Sequence, residues 1–128
     1  VSLIGYYQVL WEDQKKNRMR ESIGLFRSIV NIPRFKDKPI IILFNKYDLF
    51  CESIKQYPVT KYFKSFNGNP NDEIDIINFF KNKFLKQRNE NIANKQIPIH
   101  VIDSIDSECI ESVWTSIMSD NIVKSSYQ

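Results

Sequence analysis

The residues of this chain best suited to chemistry stand together at Asn45-Lys46-Tyr47-Asp48. A carboxylate held at Asp48 accepts two parallel hydrogen bonds from adjacent N–H donors. The N1–H and exocyclic N2–H2 of guanine offer that pair, and adenine does not. The discrimination is large where the wrong base leaves buried polar groups unpaired, about 1–3 kcal/mol for each and more for a charged one. The methylene stem of Lys46 can lie along a flat ring, and Asn45 can brace the turn or reach the ring edge. An ordinary solvated turn is the other reading of these four residues, and spacing alone leaves both standing.

Position keeps the base-reading turn in contention. It follows Lys38-Pro39 and then Ile40-Ile41-Ile42-Leu43-Phe44, five consecutive apolar residues of the kind a strand covered on both faces requires. Ligands of parallel α/β sheets bind outside the carboxyl ends of the strands. A second such end follows Ile97-Pro98-Ile99-His100-Val101-Ile102 and reads Ile102-Asp103-Ser104-Ile105-Asp106-Ser107. A backbone N–H at Ser104 can donate to a base carbonyl. Capping of the next helix by Asp106 or Ser107 is the simpler reading of those two residues.

The elements needed to position these ends alternate along the chain. Val1–Leu10 is a β-rich apolar run. From Glu12 to Asn31 the period changes, with Met19, Ile23, Phe26, Ile29 and Val30 at helical spacing, Asn17 as N-cap, Glu21 in the early turns and Pro33 beyond the end. A short helix is expected over Asp48–Gln56, and a mostly irregular stretch over Tyr57–Asn71, which holds Pro58, Gly68 and Pro70. Asp72 and Glu73 then open a second amphipathic helix, with Ile74, Ile77, Phe80 and Phe84 on one face and its end near Arg88. A last helix places Ile110, Val113, Trp114 and Ile117 together. Three strands, each followed by a helix, imply an α/β fold with a parallel sheet.

The remaining chemistry is sparse. With only Gly5, Gly24 and Gly68, the chain can form neither Gly-x-x-x-x-Gly-Lys-Ser/Thr nor Gly-x-Gly-x-x-Gly. His100, the only histidine, is expected on a strand face or in the core, and Trp11 and Trp114 in packing. No nucleophile–base pair or paired carboxylates stand out, so no catalytic residue and no metal ligand is nominated. Cys51 and Cys109 suit a reducing compartment. The 128 residues, 42% hydrophobic and 26% charged, suit one domain, and no apolar stretch is long enough to span a bilayer. The net charge of +3 is scattered, which argues against nucleic acid.

Val9-Leu-Trp-Glu-Asp13, Asn17-Arg-Met-Arg-Glu-Ser22, Leu25-Phe26, Ser28-Ile29, Asn31 and Ile41-Ile-Leu-Phe-Asn-Lys-Tyr-Asp-Leu-Phe50 together resemble the heterotrimeric G-protein α subunits. The likeness is to the C-terminal half of their Ras-like P-loop GTPase domain, and it runs over nearly the whole of residues 1–128. Asn17–Ser22 points to α subunits over small Ras-type GTPases, and Tyr62-Phe63 with Gly68 is similar to the segment after the base-recognition loop.

The resemblance implies that Asn45, Lys46 and Asp48 read guanine. It also implies that the family's second base loop, Thr-Cys-Ala-Thr-Asp-Thr, falls on Ile102–Ser107, with Ser104 in place of alanine, Asp103 of cysteine and Ile105 of threonine. GTP or GDP is the implied ligand. The phosphate loop, switch segments, Mg²⁺ ligands, cis arginine and water-positioning glutamine of the family precede Val1, and phosphoryl transfer depends on them. A complete protein is thus expected to hydrolyse GTP, at the cytoplasmic face of the plasma membrane, with βγ, a membrane receptor and an effector as partners. The 128 residues alone are expected to be inactive, with Val1–Gln8 an exposed apolar edge strand. The alternative is a short non-catalytic interaction protein competing for α-subunit partners.

Overall fold

The computed structural model describes residues 1–10 and 15–103. The readings made for Trp11, Ser104, the capping residues Asp106 and Ser107, Cys109 and the last helix lie outside the described residues.

Helix α1 is Arg18–Val30. Asn17 starts it as the sequence predicts: its backbone is extended, and its side chain accepts from the Arg20 N–H at 3.1 Å. Such a cap contributes about 1 kcal/mol. Glu21 in the first turn and Arg27 in the last agree with the helix dipole. The buried face is Met19, Phe26 and Val30, narrower than the periodicity suggests, because Ile29 is 48% exposed. Asn31 closes the helix and joins it to a distant one. Its Nδ2 donates to Arg27 O and Gln87 O, both at 2.9 Å, while the Asn89 N–H donates to its Oδ1 at 2.8 Å.

Strand β1 is Ile42–Phe44 and strand β2 is Ile99–Val101, paired in parallel with Ile42 opposite Ile99, Leu43 opposite His100 and Phe44 opposite Val101. The crossover between them carries α2 (Tyr47–Gln56), the single turn α3 (Val59–Tyr62) and α4 (Glu73–Leu85). This is an α/β arrangement. Asp72 caps α4 by accepting from the Ile74 N–H at 3.0 Å. Its buried side chains are Ile76, Ile77, Phe80 and Phe84, and Ile74, expected on that face, is 61% exposed. The Phe84 ring sits 5.5 Å from Phe44 and 5.6 Å from Phe26, so one aromatic side chain ties β1 to both long helices. Phe44, Phe80 and Phe84 are fully buried, the burial that stabilises most per residue.

The expected first strand is corrected by the structure, and with it the count of three: among the described residues two strands pair. Leu3–Tyr7 winds as a 3₁₀ helix, with Gly5 N–H donating to Ser2 O at 3.0 Å and Gln8 N–H to Gly5 O at 3.2 Å. Only Ser2 bridges β1, in parallel with Asn45. The run is not an exposed edge either, since Leu3, Ile4 and Tyr6 are buried. A threefold winding carries neighbouring side chains into the core in succession, which an alternating strand does not. Gly5 lies against α1, where an added Cβ would make ordinary contact at 3.4 Å from Arg18 Cβ and 3.5 Å from Met19 N.

The 57–71 stretch is irregular apart from α3, yet anchored. Phe63 is fully buried under the Arg20 guanidinium, 4.3 Å above its ring, and Arg20 also donates to Tyr62 O at 3.0 Å. Another tie had no sequence signal. The Lys95 ammonium donates to Phe35 O, Lys36 O and Lys38 O at 2.6, 3.1 and 2.6 Å, closing the turn before β1.

Candidate functional site

Phe44 ends the strand and Asn45 begins a sharp change of direction. Lys46 has φ 63° and ψ 38°, the only positive φ of a non-glycine residue among those described. A left-handed residue with a Cβ costs about 1–2 kcal/mol, so the surrounding bonds must hold it. Lys46 N–H donates to Asp103 O at 2.9 Å, Tyr47 N–H to Ile102 O at 3.1 Å and Ile102 N–H to Phe44 O at 2.8 Å. The Phe50 N–H, at 2.9 Å from Lys46 O, starts α2 directly from the turn. The two strand ends nominated from sequence are thus laced into one double turn by backbone bonds.

Each nominated residue has a distinct setting there. Asn45 is half-buried, its backbone paired on the other side with Val1 O at 2.9 Å and the Leu3 N–H at 3.1 Å. Lys46 and Asp48 are exposed, and Asp48 sits in the first turn of α2. The left-handed kink lets a strand in the core be followed within four residues by a solvent-facing carboxylate. Asn45, Lys46 and Asp48 share this turn; Ser104, the fourth site residue named from sequence, lies outside the described residues. His100 is half-buried at the centre of β2, opposite Leu43, on a strand as expected.

Sequence reasoning passed over Tyr47 and Asp103. The Tyr47 hydroxyl shares a hydrogen bond with Cys51, one helical turn on, and that bond, followed by burial, pushes its pKa up to about 12. Tyr47 also borders a groove of about 420 Å³ together with Ile74, Ile77, Lys81, Val101 and Asp103. The groove lies beside the double turn, and Asn45, Lys46 and Asp48 are not among its walls. Asp103 acts through its backbone carbonyl, which no residue pattern announces.

A family model for the G-protein alpha subunit matches residues 1–122. A guanine nucleotide-binding protein subunit alpha of Candida albicans (strain WO-1) is 40% identical over 119 residues, covering 93% of this chain and 27% of that relative. The alpha-12 subunit of Dictyostelium discoideum is 39% identical over 116 residues, 91% of this chain and 32% of its own length. The alpha-17 subunit of Caenorhabditis elegans is 37% identical over 123 residues, 96% and 34%. The chain therefore spans between 27% and 34% of the length of these curated relatives. With the match running from Val1 through the double turn and beyond, the chain belongs to the G-protein alpha subunit family.

Proposed function

We propose that this chain is the guanine-reading part of an α subunit, corresponding to the C-terminal portion of a Ras-like GTPase domain, and that the complete protein is a GTP-hydrolysing signalling switch. The observation that carries this is the strained left-handed turn at Lys46, laced to Asp103 and followed by exposed Asp48. A solvated turn has no need of a lysine at φ 63°, whereas a base-binding turn must lift a carboxylate clear of the strand and hold it still. Asp48 accepts from N1–H and N2–H2 of guanine, the Lys46 stem lies along the ring, and Asn45 meets the ring edge. Ser104 contributes its backbone N–H to the base carbonyl.

The residues present fit a base better than they fit a metal. The exposed Asp48 carboxylate suits the paired N–H donors of a base ring. Among the described residues no group of three His, Cys, Asp or Glu converges on one point. On this reading Mg²⁺, the phosphates and the groups for hydrolysis are held by segments of the complete protein that precede this one. The partners of this reading are βγ, a receptor and an effector at the cytoplasmic membrane face. No helix among the described residues is long and apolar enough to cross a membrane. The alternative of a short interaction protein is not favoured by relatives of full α-subunit length. Competition of GDP and ADP for the native-length protein tests the reading: preference for GDP by at least about 10-fold is expected from two bonds to a carboxylate, and equal displacement would refute it.

A further inference from the structure

Among the described residues, two buried side-chain oxygens have no hydrogen-bond partner, Ser2 Oγ and Asn45 Oδ1. They belong to one bridge. Ser2 and Asn45 are parallel partners, fixed by Asn45 N–H to Val1 O at 2.9 Å and Leu3 N–H to Asn45 O at 3.1 Å. Side chains of bridged residues leave the same face of the sheet, with their backbones about 4.8 Å apart. A hydroxyl can donate, and an amide oxygen can only accept. Ser2 Oγ and Asn45 Oδ1 are thus complementary orphans on bridged residues, a donor and an acceptor that one hydrogen bond would satisfy together.

We infer that Ser2 is a positioning residue for base recognition: its hydroxyl donates to Asn45 Oδ1 and so aims Asn45 Nδ2 at the ring edge of guanine. The inference rests on the guanine reading of Asn45-Lys46-x-Asp48 above. An asparagine amide has two ends of similar shape and opposite hydrogen-bonding character, and only one orientation suits the acceptor N7 of guanine. The orphaned, buried end here is the oxygen. A donor beneath it selects the orientation in which the NH₂ group faces the ligand, and the reverse orientation would set NH₂ against the hydroxyl and oxygen against the acceptor. Asn45 is held at both its backbone N–H and its C=O by the Val1–Leu3 segment, so its side-chain torsions are the freedom left for Ser2 to fix. None of this requires Ser2 to touch the nucleotide.

The test titrates GDP, 7-deaza-GDP and ADP against the native-length protein as wild type, Ser2→Ala and Ser2→Thr, with a thermal melt of each. Ser2→Ala should bind GDP about 10-fold more weakly, the loss of one aimed hydrogen bond, and Ser2→Thr, which keeps the hydroxyl, should restore it to within about twofold. With 7-deaza-GDP, where a C–H replaces N7, Ser2→Ala should cost nothing, because the acceptor served by the orientation is gone. Wild-type affinity for GDP in Ser2→Ala, an equal loss for GDP and 7-deaza-GDP, or no restoration by Ser2→Thr overturns the inference. Preference for GDP over ADP with a silent Ser2→Ala removes this role alone; no such preference in the wild type removes the guanine reading and this role together.

Discussion

Leu3–Tyr7 and Ile40–Phe44 are both unbroken apolar runs, and one winds while the other extends. The difference lies in what their backbones can pair with. Ile42 N–H donates to Pro98 O at 3.0 Å and Ile102 N–H to Phe44 O at 2.8 Å, so the second run has a neighbour along its length. The first run is tied to the end of β1 only at its start, through Val1, Ser2 and Leu3, and then satisfies its own groups by i to i+3 bonds. Winding lets it bury Leu3, Ile4 and Tyr6 and send the Tyr6 hydroxyl to Tyr57 O at 2.6 Å and Ser53 Oγ at 3.2 Å. Apolarity predicts burial; the choice between extended and wound backbone is made by partners far along the chain.

The comparison can be broken at its strongest point by Phe44→Ala. Phe44 is fully buried against Phe84, so chemical denaturation should show a loss of about 3–5 kcal/mol. A smaller loss on the wound side is expected for Gly5→Val. Its Cβ would stand 3.4 Å from Arg18 Cβ, and the extra methyls should cost about 1–3 kcal/mol by pushing the 3₁₀ turn off α1. If Gly5→Val were neutral, the 3₁₀ turn would have room for a larger side chain against α1. Smallest is Tyr6→Phe, which removes the hydroxyl bonds for about 1 kcal/mol.

Tyr6 also sharpens the contrast through pH. Burial pushes its pKa up to about 12, with the bond to Ser53 opposing the rise and the neighbouring Tyr7, Tyr62 and Tyr57 adding to it. The unfolded tyrosine ionises near its ordinary value of about 10. Between these values the unfolded state binds fewer protons than the folded one, so stability falls as pH rises through that window. The Tyr6 contribution is present in full below about pH 10 and should vanish from denaturation curves of Tyr6→Phe.

Much of the fold was legible because its signals are local. Asn17 and Asp72 cap the helices they precede, and the alternation of elements follows from Met19, Phe26, Phe80 and Phe84 at helical spacing. The proposed base-reading turn was nominated in the same way, from side-chain chemistry placed after a strand. What escaped was carried by backbone atoms or by distance along the chain. Asp103 supports Lys46 through a carbonyl, Lys95 clasps three carbonyls 57 to 60 residues away, and Asn31 joins the ends of α1 and α4. A carbonyl is common to every residue type, so no pattern of side chains can mark which one is used.

Asp48→Asn most directly tests whether the turn after β1 reads guanine through Asp48. An amide presents one acceptor and one donor where the carboxylate presented two acceptors, so it clashes with one guanine N–H and meets the 2-carbonyl of xanthine. Titration of GDP and XDP against the native-length protein should show GDP weakened by at least about 10-fold and XDP strengthened by a comparable factor. An unchanged ratio of GDP to XDP affinity in Asp48→Asn would contradict the account.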